Sequence, residues 1–304
     1  MSAGVEVRPA PRADVAAASL VAFGAIAFSG KAIIVKLGLR LGADAVTLLA
    51  LRMLVALPLF LLMGAWASRR GAPLSAADRL RVFALGVSGY YLASLLDFLG
   101  LAHISATLER VILYLTPTFV LLLGAVLARR RPTRTQAAAL AISYAGVALA
   151  FGHDLHMAGD QVLKGGLLVL GSALSYAVYL YGSGEIVARV GAVRLTAWAS
   201  TVASVLCIGQ WLLLEPWTWP RIPSSVYALS LLNGTLCTVA PVLMTMIGVR
   251  RLGSGPASQI GMIGPVSTIV LSLLILHEPM GPWQIAGTGL VVAGVLAVSR
   301  AKPA

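Results

Sequence analysis

Residues 44–67 read DAVTLLALRMLVALPLFLLMGAWA. After Asp44 a single charge, Arg52, interrupts an otherwise apolar run that ends before the Arg69-Arg70 pair. A helix of about 20 residues crosses the roughly 30 Å hydrocarbon layer of a bilayer, so this stretch is long enough to span one. Its apolar residues are continuous and do not alternate, which separates it from a barrel strand with two unlike faces.

Runs of the same kind recur at 14–36, 80–102, 106–128, 135–152, 164–184, 193–214, 225–248, 256–276 and 281–299. With 44–67 they predict an all-α integral membrane protein of ten transmembrane helices. Composition agrees: 59% of the 304 residues are hydrophobic and 11% charged, with a mean hydropathy of +0.90. A soluble domain carries about 25% charged residues. The net charge of +12 raises the question of nucleic acid. Its basic residues, however, stand in short clusters between apolar runs and not in a stripe with interleaved aromatics, so no nucleic-acid partner is expected.

Those clusters orient the chain, because cytoplasmic loops keep Lys and Arg. With the N-terminus inside, 16 of the 23 basic residues are cytoplasmic. Lys31, Lys36, Arg40, Lys164 and Arg221 fall on the opposite side, and Arg52 and Arg110 lie in or near spans. Both termini are therefore expected in the cytoplasm, in a multi-pass inner-membrane protein. Residues 1–13 read as a cytoplasmic tail without a cleavage pattern, and 300–304 as a second tail. Cys207 and Cys237 sit in apolar segments without metal-type spacing, so neither a disulfide framework, a metal site nor a cofactor is expected. His153, Asp154, His156 and Asp160 read as a solvated loop.

The chain also matches itself. Laid over 250–298 at an offset of 148, residues 102–150 set Ile112 on Ile260, Pro117 on Pro265, Gln136 on Gln284 and Ala145-Gly146-Val147 on Ala293-Gly294-Val295. Earlier in each half an offset of 147 sets Gly24 on Gly171 and Val46 on Val193. Two five-helix units follow, 14–152 and 164–299, joined by a periplasmic loop at 153–163. Five is odd, so the second unit enters from the opposite side and the pair forms a 5+5 inverted repeat.

Several segments together resemble two tandem EamA-type units of the drug/metabolite transporter superfamily, over nearly all of residues 15–299. They are Ser29-Gly30-Lys31, Arg52, the hinge His103 to Thr107, the Pro117 span ending in Arg129-Arg130-Arg131, Leu252 to Pro265, Leu276-His277-Glu278-Pro279, and Gln284 with Gly287. The first half departs from the pattern, with Arg130-Arg131-Pro132 where a Glu-Pro pair is usual. Length, span number and aromatic content are most like the aromatic amino-acid exporters of that superfamily. The resemblance implies export of amino acids, metabolites or drugs by alternating access through a path between the halves. It implies no enzymatic chemistry. The partners expected are a small-molecule substrate and the bilayer, with the chain acting as a monomer.

Polar groups in a bilayer must face a cavity or another helix. Tyr90, Ser94 and Asp97 recur at i, i+4 and i+7; Arg110, Tyr114 and Pro117 repeat the form; Ser172, Tyr176, Tyr179 and Ser183 extend it. These read either as the lining of a path or as anchors and interhelical bonds. Ser29, Lys31, Gln259 and Pro265 complete the candidate lining. Arg52, Glu109 and Arg110 read as structural ion pairs or gating charges, with Arg52 paired to Glu109 or Asp97 or snorkelling to the interface. Pro117 and Pro265 each remove a backbone hydrogen bond and are expected to kink their helices, with Thr116 able to satisfy a freed carbonyl. The exporters of other metabolites or drugs, and a membrane-embedded lipid enzyme, are the rival functions. Against the enzyme, no HExxH or GxSxG pattern occurs. The first span has no acidic residue between Phe23 and Ser29, which leaves facilitated diffusion, exchange, or proton movement through Asp97 or Glu109.

Overall fold

A computed structural model describes residues 14–69, 71–127, 133–214, 222–252, 257, 260–261, 263–278 and 280–300. Among these no strand occurs, and helices α1 (Val15–Arg40), α2 (Ala45–Ser68), α3 (Ala76–Leu101), α4 (Ala106–Leu127), α5 (Arg134–Ala158), α6 (Asp160–Val190), α7 (Ala192–Leu214) and α8 (Ser224–Leu252) follow one another. Each contains a segment long and apolar enough to cross a membrane. Beyond them lie α9, built from Ile263–Leu271 and the π turn Ser272–Leu276, and α10, Pro282–Arg300.

Helix starts are set by short polar side chains that accept orphan N–H groups. Asp14 accepts from Ala17 at 3.0 Å, Asp44 from Thr47 at 2.9 Å, Ser75 from Asp78 at 3.1 Å and Ser105 from Leu108 at 3.1 Å. The Gln pair of the repeat has the same role. Gln136 accepts from the N–H of Thr133 at 2.9 Å, and Gln284 from the N–H of Gly281 at 3.2 Å. The joint between halves differs from the loop expected at 153–163. The helix runs through to Ala158 and restarts at Asp160, and Gly159 turns the chain alone with φ +62°. Only glycine adopts that region without a Cβ penalty, so one residue suffices where eleven were expected.

Helix pairs repeat across the halves. The main neighbours are α2 with α7, α5 with α10, α1 with α8 and α9, α6 with α3 and α4, α2 with α8, and α7 with α3. Exchanging α1–α5 for α6–α10 in order maps this set onto itself. The same correspondence holds atom by atom at the glycines. A Cβ on Gly86 would lie 2.7 Å from the Ala199 carbonyl oxygen and 3.0 Å from Val202 Cβ; on Gly234 it would lie 2.8 Å from the Arg52 carbonyl oxygen and 2.7 Å from Val55 Cβ. Likewise Gly100 abuts Gly165 and Val169, as Gly248 abuts Ala17 and Val21. Backbones this close leave no room for a side chain.

Helices α3 and α8 also share a π turn immediately after the matched glycine, at Val87–Leu92 and Thr235–Val239. Such turns displace carbonyls from the helical ladder. Serines of α6 take two of them near the first: Ser175 donates to Ser88 O at 2.8 Å and Ser172 to Ala93 O at 2.7 Å. In α4 the ladder breaks at Tyr114 and Leu115, ahead of Pro117. There the Thr116 hydroxyl donates to Leu113 O, the carbonyl Pro117 cannot use, at 2.7 Å.

Because Gly86 and Gly234 meet the same surroundings, Gly86→Val and Gly234→Val should each destabilise the protein by about 1–3 kcal/mol and by similar amounts. Thermal unfolding in detergent reads this. A large loss at one position with none at the other would contradict the matched packing.

Candidate functional site

Four of the five charges expected in the spans meet at one place. Lys31 of α1 lies 2.6 Å from Asp97 Oδ2 of α3 and 3.6 Å from Glu109 Oε1 of α4. Glu109 Oε2 is in turn 3.6 Å from Arg110 Nε. Lys31, Asp97, Glu109 and Arg110 are all buried, Glu109 completely. Position follows from the helices: Asp97 sits one turn before α3 ends at Leu101, Glu109 one turn after α4 begins, and the short hinge between them folds both acids toward α1. Phe28, one turn before Lys31, lies beneath both cations, with Lys31 Nζ 5.6 Å and Arg110 Cζ 6.0 Å from its ring centre. Phe28 is 42% exposed, which makes it the accessible edge of an otherwise buried cluster. Sequence reading missed Phe28; its i, i+3 spacing from Lys31 is the signal.

Arg52 stands apart. Its guanidinium is buried over the Phe98 ring at 5.0 Å, and among the described residues it makes no ion pair or hydrogen bond. The pairing with Asp97 or Glu109 suggested by the sequence does not form. Asp97 Oδ1, both Glu109 oxygens, and Nε and Nη2 of Arg110 likewise lack a hydrogen-bond partner among the described residues. Carboxylates and guanidinium groups buried with unused hydrogen-bonding capacity are costly, and such sites are where a polar ligand is held.

The remaining candidates distribute around this cluster. Ser29, buried on α1, donates to Gly264 O at 2.5 Å and to Ala25 O at 2.9 Å, tying α1 to α9 at the residue preceding Pro265. Ser94 and Tyr114 are half-buried and Pro117 is exposed. Gln259 and the side chain of Pro265 lie outside the described residues, as do the side chains of His153, Asp154 and His156. Tyr90, Tyr176 and Tyr179 come together with one another instead. Tyr176 and Tyr179 stack at 5.6 Å, Tyr90 meets both edge-on, and the Tyr90 and Tyr179 hydroxyls are 3.3 Å apart. Val82, Leu85, Ile186 and Leu195 wall them in between α3, α6 and α7.

One end of the bundle is stitched shut by charge. Glu278 accepts from the N–H of Ala106, which opens α4, at 3.0 Å, and from Ser272 Oγ at 2.7 Å. A carboxylate there complements the helix N-terminus, which gives the Glu of the Glu278-Pro279 pair a structural task. Lys36 lies 3.8 Å from Glu278 and donates to Leu101 O and Ile104 O at 3.2 and 2.9 Å; Arg40 donates to Leu276 O at 2.8 Å. His277 turns the chain here with φ 54°, sparsely occupied by non-glycine residues. Two clefts lie elsewhere. One of about 300 Å³ borders Pro73, Asp78, Arg189 and Arg194, and another of about 520 Å³ is lined by Leu37, Arg40, Leu41 and Leu232.

An apolar all-helical bundle that encloses a few convergent charges is a multi-pass membrane protein of the solute-carrying class, and comparison with known proteins agrees. The chain belongs to the EamA-like transporter family, whose model matches residues 15–152 and 163–300. It is 30% identical over 272 residues to the uncharacterized transporter YcbK of Bacillus subtilis, covering 88% of this chain and 87% of that one. It is 26% identical over 230 residues to a probable terminal-alkyne amino-acid exporter of Streptantibioticus cattleyicolor, 71% of each. One solved crystal structure shares the fold, with a TM-score of 0.63 at 19% identity over 93% of this chain and 98% of the other. The family and these relatives point to a transporter rather than an enzyme.

Removing one partner of the buried pair strands the other. Asp97→Thr or Lys31→Val alone should cost about 3–5 kcal/mol, whereas the double variant should recover most of that loss. Unfolding in detergent measures the cycle, and additive losses would show that the two groups do not depend on each other.

Proposed function

We propose that this chain exports small organic solutes, amino acids and related metabolites first among them, by alternating access across an inner membrane. In this reading ten helices cross the bilayer as a 5+5 inverted repeat with both termini cytoplasmic. The path runs between α1–α5 and α6–α10, and Lys31, Asp97, Glu109, Arg110 and Phe28 hold the cargo. Tyr114, Ser94 and Pro117 flank that site, while the Tyr90, Tyr176 and Tyr179 cluster stiffens the first half against α7. The stitched Glu278 end is the outer gate, closed here.

One observation carries the proposal: the charges occur in only one half. At the matched positions of the second half stand Tyr179 for Lys31, Ala199 for Arg52, Thr245 for Asp97 and Ala257 for Glu109. Since that half makes the same helix contacts without these charges, folding does not require them. A buried charge retained where packing needs none marks a ligand or ion path. The amino-acid reading draws on the exporter of S. cattleyicolor and on the resemblance to the aromatic amino-acid exporter YddG. Other metabolites and drugs are the rival cargo.

The test is uptake of labelled amino acids into liposomes holding the purified protein, with and without a pH gradient. Flux above protein-free vesicles is expected, and the paired variant Lys31→Val with Asp97→Thr should lose tenfold or more of it. Full flux in that variant would remove the site from the path, and no flux of any amino acid would turn the reading to drugs or other metabolites.

A further inference from the structure

The transport reading leaves Arg52 unused, and its surroundings say what it would bind. Arg52 lies on α2 with its guanidinium over Phe98 of α3, its carbonyl oxygen packs against Gly234 of α8, one turn before Cys237, and its chain neighbours Leu51 and Met53 share a buried cluster with Phe98 and Cys207 of α7. Cys237 also approaches α1: a Cβ on Gly30 would lie 3.1 Å from its Sγ. The guanidinium thus sits where α1, α2 and α3 of the first half meet α7 and α8 of the second, on the seam along which the halves must slide.

Charge counting at this seam leaves a remainder. Lys31, Arg52 and Arg110 are three cations; Asp97 and Glu109 are two anions. Asp97 is committed to Lys31 at 2.6 Å, and Glu109 lies between Lys31 and Arg110 at 3.6 Å from each. Arg52 holds only the face of Phe98, with Nε and Nη1 unpartnered among the described residues. A ring face offers a cation much less than a carboxylate does, and an uncompensated guanidinium in a dry interior is destabilising.

We propose that Arg52 receives the carboxylate of the cargo and that the site is matched to solutes of net charge −1. This rests on the transport reading above and, within it, favours related metabolites, monocarboxylates whose amine is absent or acylated, over free amino acids. A zwitterion supplies the same carboxylate but adds an ammonium, which would have to compete with Lys31 for Asp97 or with Arg110 for Glu109. A monoanion needs no such competition and brings the enclosed set to neutrality. Phe98 lies 5.0 Å from the guanidinium, and Nε and Nη1 are unpartnered among the described residues, so the group has N–H capacity to offer a carboxylate parallel N–H···O bonds.

Four probes with one side chain separate the head groups: phenylalanine, N-acetylphenylalanine, 3-phenyl-2-oxopropanoate and phenethylamine. With the purified full chain in detergent, calorimetric titration should show both anions binding about tenfold or more tightly than phenylalanine, and phenethylamine not at all. Arg52→Gln should lose about 30-fold or more of anion affinity, and Arg52→Lys should keep part of it. A merely structural arginine would destabilise the fold when removed; an unpaired anchor should leave the melting temperature of Arg52→Gln unchanged or higher. The proposal is overturned if phenylalanine or phenethylamine binds as well as the anions, if neither anion binds, or if Arg52→Gln binds them unchanged. Anions that bind through Arg52 but do not enter vesicles would support the anchor and overturn the transport reading. Amino-acid flux that ignores Arg52 would do the reverse.

Discussion

An ammonium and a carboxylate 2.6 Å apart, walled in by apolar helices, constrain everything around them. Neither ion could be desolvated alone, and together they recover that cost only if their geometry holds. Three elements must keep register for this: α1 for Lys31, α3 for Asp97, and α4, which brings Glu109 and Arg110. Close glycine contacts supply that register. Gly86 and Gly100 lock α3 against α7 and α6, and no side chain stands between the backbones to let them slip. The Glu278 cap and the Lys36 and Arg40 bonds then tie α4 and α1 to the end of α9. Small-residue packing, not hydrophobic force, does this work in a membrane, where lipid is as apolar as leucine.

The same devices that hold the helices also loosen them at chosen points. π turns in α3 and α8 and the break before Pro117 in α4 interrupt regular hydrogen bonding, and carbonyls nearby meet hydroxyls: from Ser175 and Ser172 at α3, Thr238 at α8 and Thr116 at α4. A carbonyl with a hydroxyl partner can exchange it more readily than one locked in a helical ladder. The α3 turn and the α4 break lie between the charged cluster and the end carrying Asp78 and Arg189, so movement there would leave the Glu278 end in place.

Much of this was legible in the sequence, for physical reasons specific to membranes. Continuous apolar runs have few alternatives to helix, so the eight helices long and apolar enough to cross a membrane among the described residues fall on runs legible in the sequence. Pro117 with Pro265 and Gln136 with Gln284 exposed the duplication because a missing N–H and a cap each need one residue at one place. Charges in apolar runs are rare enough that Lys31, Arg52, Asp97, Glu109 and Arg110 identified themselves. Their pairing was not legible, since a sequence carries no record of how one helix is rotated against another. The hydroxyl stripes of α3 and α6 show the difficulty: Tyr90, Tyr176 and Tyr179 fall on one face whether that face meets a path or another helix. The joint at Gly159 escaped notice because polar residues such as His153 and Asp154 suit a loop and a helix end equally. The closure by Lys36 and Glu278 depends on contacts across 242 residues of chain, beyond any local pattern.

The two halves provide an internal comparison that a single domain cannot. Both fold through the same contacts, and only one carries the ions, so the energetic cost of burying them falls on one half without a return in stability. Electrostatics then links occupancy to movement. In the proposed alternating-access reading, closing a seam around three cations and two anions would remove water from an unneutralised set and so oppose closure of the empty carrier. Cargo that supplies the missing charge removes that opposition, and a carrier that closes more readily when loaded than when empty favours exchange over leak. The asymmetry of charge between otherwise equivalent halves is therefore where coupling between binding and crossing can reside.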